Sequence, residues 1–287
     1  MKSSKAVLIL LVFFPLGLLA QQNLQSYTPS ILFGRGEWEF KTFQNVYTQT
    51  RSFDGNGVAT RASGAGRQTW STSINQFLFG INDQINVGMD VWVKNVSFAA
   101  GGLDSRTEVV GVGPKIKIAP FKNLPRLSVQ STFLIPGAKD LEGSNDPKTP
   151  FLETDRKLWL TQVYFDKPIN DRFQLFFQQA FWYSIVRDSF AENNFIQTQT
   201  SAFLSFFPTS RWTIYAMSEF FPTHYNSSSE QTAEAFYSFF VQSGIGAKYQ
   251  LIPQILEVEV LFTDFWMGSN QQGAGQTFNL GLRYIRQ

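Results

Sequence analysis

The chain has 287 residues, 43% of them hydrophobic and only 16% charged, against roughly 25% charged in ordinary soluble domains. Mean hydropathy is nonetheless slightly negative, which excludes a bundle of membrane helices. A net charge of +2 without a run of Lys or Arg argues against a nucleic-acid partner, and the lack of cysteine excludes disulfides, a lipid-attachment cysteine and thiolate metal sites.

The chain opens with Lys2 and Lys5, followed by the apolar run Ala6 to Leu19 and then Ala20. A positive start, a short apolar run and a small residue describe a secretory signal over residues 1–20. The run is about 14 residues, short of the roughly 20 that a spanning helix needs. Residues 21–35 are expected to form a short periplasmic extension, and residues 36–287 one domain.

After Ala20 no apolar run is long enough to span as a helix. A mature chain in lipid must then be a closed barrel, which satisfies its backbone between strands. The pattern agrees. In Gln84 to Phe98, Ile85, Val87, Met89, Val91 and Val93 share one face, and Asn86, Gly88, Asp90, Trp92 and Lys94 the other. Val110 to Ile118 sets Val110, Val112, Ile116 and Ile118 against Gly111, Gly113, Lys115 and Lys117. Arg126 to Pro136 alternates Leu127, Val129, Phe133 and Ile135 with Arg126, Ser128, Gln130 and Thr132. Gln254 to Trp266 opposes Val258, Val260 and Phe262 to Glu257, Glu259 and Leu261, and the last stretch opposes Phe278, Leu280, Leu282 and Tyr284 to Asn279, Gly281 and Arg283. Less regular strands are expected over Gly36 to Ser52 (with a bulge where the phase slips at Phe43), Arg67 to Ile81, Lys157 to Asp166, Phe173 to Arg187, Phe195 to Phe207, Trp212 to Phe221 and Ala235 to Gln250.

These make about twelve strands. Short connections (Asn82-Asp83, Pro120 to Leu124, Lys167 to Asp171, Pro208 to Ser210, Leu251 to Pro253) alternate with long ones (Phe53 to Gly66, Ala99 to Ser105, Gly137 to Asp155, Asp188 to Asn194, Pro222 to Glu234, Gly268 to Gly275). Short periplasmic turns alternating with longer external loops are the asymmetry of an outer-membrane barrel. The expected fold is therefore an all-β transmembrane antiparallel up-and-down β-barrel. Aromatic residues at strand ends (Trp38, Trp70, Trp159, Trp212, Trp266, Tyr284) are expected to form interface girdles. A soluble β-sandwich or jelly roll also alternates, but these strands are long for one.

The stretch Leu127 to Gly137, LSVQSTFLIPG, with the preceding TEVVGVGPKIKI, resembles the strand ending in Pro-Gly of the transporter-like barrels associated with phenol meta-pathway operons. The ending Tyr284-Ile285-Arg286-Gln287 departs from the final aromatic residue common in outer-membrane barrels. The resemblance implies passive passage of small molecules, hydrophobic ones among them.

Alternation places Glu37, Glu39, Lys41, Asp90, Lys94, Lys115, Lys117, Arg126, Glu219, Lys248, Glu257, Glu259 and Arg283 toward the lumen. A four-residue turn at Leu251 to Gln254 puts Lys248 opposite Glu257, and Arg283 is expected to meet Glu37 or Glu39 where the barrel closes. These charges form either a salt-bridge ladder that plugs the lumen or a constriction that selects solutes. The single histidine, His224, is expected in the loop Pro222 to Glu234; it excludes a multi-His metal site and leaves a lipid-modifying enzyme as a distant alternative. The acidic loop Gly137 to Asp155 is expected to be solvated. The reading is a channel for small molecules, with a non-conducting structural or surface-interaction barrel as the alternative. The expected surroundings are outer-membrane lipid and lipopolysaccharide. No cofactor is expected, and the solute and any partner protein stay unnamed.

Overall fold

Alternating β-branched and aromatic residues suit a pleated surface that is greasy on one side. The computed structural model describes residues 29–61, 66–98, 106–137, 156–186, 194–225, 237–269 and 273–287. The expected signal, residues 21–28 of the extension and the acidic loop beyond Gly137 lie outside these residues.

Twelve long or medium strands form the wall: β1 (Trp38–Phe53), β3 (Gln68–Asn82), β4 (Ile85–Phe98), β5 (Arg106–Ile118), β6 (Leu127–Leu134), β7 (Arg156–Asn170), β8 (Phe173–Val186), β9 (Phe195–Phe206), β10 (Trp212–Tyr225), β11 (Tyr237–Ile252), β12 (Leu256–Gly268) and β13 (Gly273–Arg286). The three-residue β2 (Ala59–Arg61) folds back on the end of β1. Each strand pairs antiparallel with its sequence neighbour, and β13 pairs with β1 from Trp38↔Arg286 to Ser52↔Gly273, so the sheet closes on itself. Closure leaves no long unpaired edge. No helix occurs among the described residues.

The short turns all fall at the end that also holds the start of β1 and the end of β13. The long connections fall at the other end. This end-to-end asymmetry assigns the first as the periplasmic end and the second as the external end.

Which face is the lumen follows from contacts between strands that are not neighbours. Trp92 on β4 meets Trp182 on β8 at 5.8 Å, Tyr47 on β1 meets Phe265 on β12 at 5.2 Å, and Trp182 meets Phe221 on β10 at 5.9 Å. Such contacts are possible only across the interior. The opposite face carries exposed Phe40, Val87, Met89, Ile116, Phe177, Leu204, Ile214, Ile245, Val260, Phe262, Leu280 and Leu282, an apolar belt suited to lipid. Trp38 and Tyr284, with ring centroids 5.3 Å apart, and Trp212 bound the belt at the periplasmic end, and Trp159 and Trp266 at the external end. Trp70 does not belong to this girdle. It packs against Tyr47 at 5.5 Å inside the barrel.

Three further expectations are corrected. No bulge occurs at Phe43: β1 pairs with β13 and β3 without interruption from Trp38 to Gln49, and the ladder shifts only between Gln49 and Ser52. Phe43 continues the inward series Glu39, Lys41, so on this strand it is the outward positions Thr42 and Gln44 that are polar. The turn after β11 is Pro253 to Ile255, with Gln254 at φ 63°, and Ile252 pairs with Leu256. This moves the register by two residues and sets Lys248 opposite Glu259, with Gln250 opposite Glu257. His224 is not in a loop. It lies on β10, exposed, registered with Ile196 and Tyr237.

Candidate functional site: the lumen

Side chains two residues apart on a strand share a face. That rule puts Lys115 and Lys117 of β5, Asp90 of β4, Glu39 and Lys41 of β1, Arg283 of β13, Glu257 and Glu259 of β12 and Lys248 of β11 together in the periplasmic half of the lumen. Lys115 Nζ lies 2.5 Å from Asp90 Oδ1 and Lys41 Nζ 3.2 Å from Glu39 Oε1. Arg283 Nε donates to Glu39 Oε2 across the closing seam; of the two partners expected for it, Glu37 and Glu39, it is Glu39 that it meets. Lys248 Nζ lies 3.5 Å from Glu259 Oε2, and the Tyr215 hydroxyl donates to Glu259 Oε1. Lys117 and Lys248 also stand over the rings of Tyr164 and Tyr215, at 5.8 and 5.7 Å. Lys41, Lys115, Lys248 and Arg283 are therefore each balanced by a neighbouring carboxylate, which keeps these buried charges tolerable.

Four predicted residues stand apart from this belt. Glu37 precedes β1 and accepts from the Gly34 N–H at 2.8 Å, at the periplasmic mouth. Arg126 lies in the turn before β6, where its carbonyl accepts from Asp166 N–H. Lys94 is inward but higher on β4, level with Thr72 and Glu108. Glu219 belongs to a separate polar cluster on β9 to β11, accepting from Gln199 at 2.5 Å, Ser201 at 2.9 Å and Gln242 at 2.7 Å.

The residues before β1 enter the lumen from the periplasmic end, which alternation alone had not indicated. Lys117 Nζ donates to the carbonyl oxygens of Pro29 at 2.7 Å and Ile31 at 2.6 Å. The Ser30 hydroxyl donates to Asp166, which also accepts from Gln174 Nε2 at 2.9 Å. Phe33 exchanges two hydrogen bonds of 2.8 Å with the Asn86 amide, and its ring packs with inward-facing Leu78 and Ile285. Lys117 thus serves the backbone of this segment rather than a carboxylate.

Above the segment lies a cavity of about 240 Å³. Pro29 forms part of its wall; Phe43, Phe176, Phe203, Phe207 and Leu261 supply apolar surface, and Lys41, Lys248, Glu257, Glu259 and Arg283 charge. Two glycines make room for rings here. A Cβ on Gly246 would lie 2.3 Å from the Tyr215 ring, and one on Gly281 2.6 Å from that of Phe43. The wall also holds Gln174 Oε1 and Thr213 Oγ1, buried atoms without a hydrogen-bond partner among the described residues.

Toward the external end, inward aromatic rings touch in series: Trp70, Tyr47, Phe265, Phe240, Phe221, Trp182 and Trp92, with centroids 4.8 to 5.9 Å apart. The last contact, Trp92 to Trp182, reaches across the lumen from β4 to β8, so the series forms a collar that closes over the interior and leaves β5 to β7 outside it. The sequence signal for it was the doubly apolar character of β8, whose inward Phe176 and Trp182 alternate with outward Phe177, Phe181 and Tyr183.

No protein-family model and no curated protein matches the sequence. Solved structures of the same shape do exist. The COG4313 outer membrane channel from Pseudomonas putida F1 superposes with a TM-score of 0.69 at 10% identity, over 90% of this chain and 97% of that one. The translocator domain of the autotransporter NalP from Neisseria meningitidis gives 0.50 at 8% identity, over 88% and 89%. At these identities the similarity is one of fold, that of a closed antiparallel β-barrel.

Proposed function

We propose that the chain is an outer-membrane channel for passive passage of small amphipathic molecules. The observation that carries this reading is the cavity, which is enclosed by the barrel wall and combines phenyl rings with balanced charge and two unsatisfied polar atoms. A solute with an apolar body and one polar end matches both kinds of wall. The aromatic collar offers a stacking path at the external entrance, and the segment at Pro29 to Phe33 stands at the exit. Passage then requires that segment to move. The shape shared with the Pseudomonas putida channel supports the reading. A finer form, in which the solutes are small hydrophobic molecules of the sort implied by the resemblance to phenol meta-pathway barrels, is supported by the collar.

Liposome swelling tests this with solutes of matched size, one series carrying an aromatic ring and a hydroxyl, the other sugars. The ring-bearing series is expected to enter faster. A second reading, a non-conducting barrel, draws on the ion pairs and on the tethered segment. It prevails if planar bilayers stay closed both for the native chain and for a variant whose segment has been released.

A further inference from the structure

The lipid-facing wall carries several small polar pairs, among them Ser131 with Thr161, Gln179 with Thr200 and Ser218 with Ser243. The patch on β1 and β3 differs from them in holding two amides, and it does not depend on what passes through the lumen. On β1 the outward positions after Trp38 and Phe40 are Thr42 and Gln44; on β3, after Phe79 and Phe77, they are Asn75, Ser73 and Ser71. Register joins them into one patch, with Thr42 opposite Asn75 and Gln44 opposite Ser73. At a rise of about 3.3 Å per residue and a tilt near 40°, each residue climbs roughly 2.5 Å, so Thr42 and Gln44 stand about 10 to 15 Å above Trp38. A belt about 25 Å tall has its centre there. The neighbours agree: Thr42 and Gln44 pair with lipid-facing Leu282 and Leu280, and Asn75 and Ser73 with Val91 and Val93.

Inside the patch, Gln44 Nε2 donates to Thr42 at 3.1 Å and Ser73 at 2.8 Å, and Asn75 Nδ2 to Ser73 at 3.1 Å and to the Val91 carbonyl at 3.4 Å. Neither side-chain carbonyl, Gln44 Oε1 nor Asn75 Oδ1, accepts a hydrogen bond among the described residues. On the opposite wall the lipid-facing amide of Gln179 is satisfied: Thr200 donates to its carbonyl at 2.7 Å, and its own nitrogen reaches Ala180 O at 3.4 Å. Two amide oxygens without a donor, in hydrocarbon, call for one from outside the chain.

We propose that this seam is where a second copy of the chain docks side by side in the membrane. The patch is self-complementary, as a two-fold interface requires. It presents acceptors on Gln44 and Asn75 and hydroxyl donors on Thr42, Ser71 and Ser73. The short Ser and Thr side chains let two walls approach closely, and exposed Phe40 and Phe77 add apolar contact below.

Because the chain has no cysteine, single thiols report the contact. Ser71→Cys, treated in membranes with a short bismaleimide, is expected to give a dimer band, whereas Leu204→Cys on the far wall is not. In detergent, Gln44→Leu with Asn75→Leu is expected to lower the dimer fraction about tenfold while the boiled and unboiled forms still migrate differently, showing an intact barrel. The proposal is overturned by a folded chain that stays monomeric and uncrosslinked at Ser71→Cys. A dimer that survives the double leucine change also overturns it, as does crosslinking of Ser71→Cys to a different protein alone.

Discussion

Replacing Lys117 with methionine is expected to loosen residues 29–31 inside the lumen. The ammonium makes two hydrogen bonds to backbone carbonyls, at 2.7 and 2.6 Å. Hydrogen bonds with one charged partner contribute about 1.5–3 kcal/mol each. The freed carbonyls can turn to water in the lumen, so the lower figure applies, roughly 3 kcal/mol for the pair. That corresponds to a factor on the order of 10² in the balance between seated and released segment. Methionine keeps most of the side-chain stem, which limits the packing loss. The Phe33–Asn86 pair and the burial of Phe33 remain, so release stays local and the barrel stays folded. Two measurements read it: single-channel conductance, expected to rise, and the labelling rate of Ile31→Cys by a charged thiol reagent from the periplasmic side, expected to rise up to a hundredfold. Unchanged labelling in a folded Lys117→Met barrel would refute the role given to Lys117, whatever the conductance does.

Three other changes probe the wall and the belt. Arg283→Gln leaves Glu39 with Lys41 alone and is expected to cost roughly 3 kcal/mol in urea unfolding from detergent; adding Glu39→Gln should recover part of the loss, and an additive double variant would deny the coupling. Gly246→Ala places a methyl 2.3 Å from the Tyr215 ring, so a loss of about 1–3 kcal/mol is expected, seen as a lower urea midpoint; Tyr215→Ala in the same background should relieve it. Val260→Arg puts a cation in the lipid belt and should destabilise the barrel by about 2–4 kcal/mol, whereas Leu261→Gln, one residue on and facing the lumen, should cost much less. Equal effects at the two positions would reverse the assignment of faces on β12.

Where one face of a strand is greasy and the other polar, alternation alone settled both the element and its orientation. This holds for β4, β5, β12 and β13, and with them for Asp90, Lys115, Lys117, Glu257, Glu259 and Arg283 as lumen residues. The alternation of short and long connections supplied the closed topology, because a barrel turns tightly at only one end. Other features were fixed only by closure of the sheet. On β1 the greasy Phe43 faces inward and Gln44 outward, since pairing with β3 and β13 sets the parity of the whole strand, whatever a single side chain prefers. Trp70 looked like a girdle residue but serves the collar, for the same reason. The Lys248 register depended on one turn residue with positive φ, Gln254. The closure of the collar through Tyr47–Phe265 and Trp92–Trp182, the cavity and the seating of Pro29 to Phe33 on Lys117 and Asn86 join residues far apart in the chain. Period-two patterning says which way a side chain points. What it meets there is decided by the circumference of the barrel, which brings strands far apart in sequence across the same lumen.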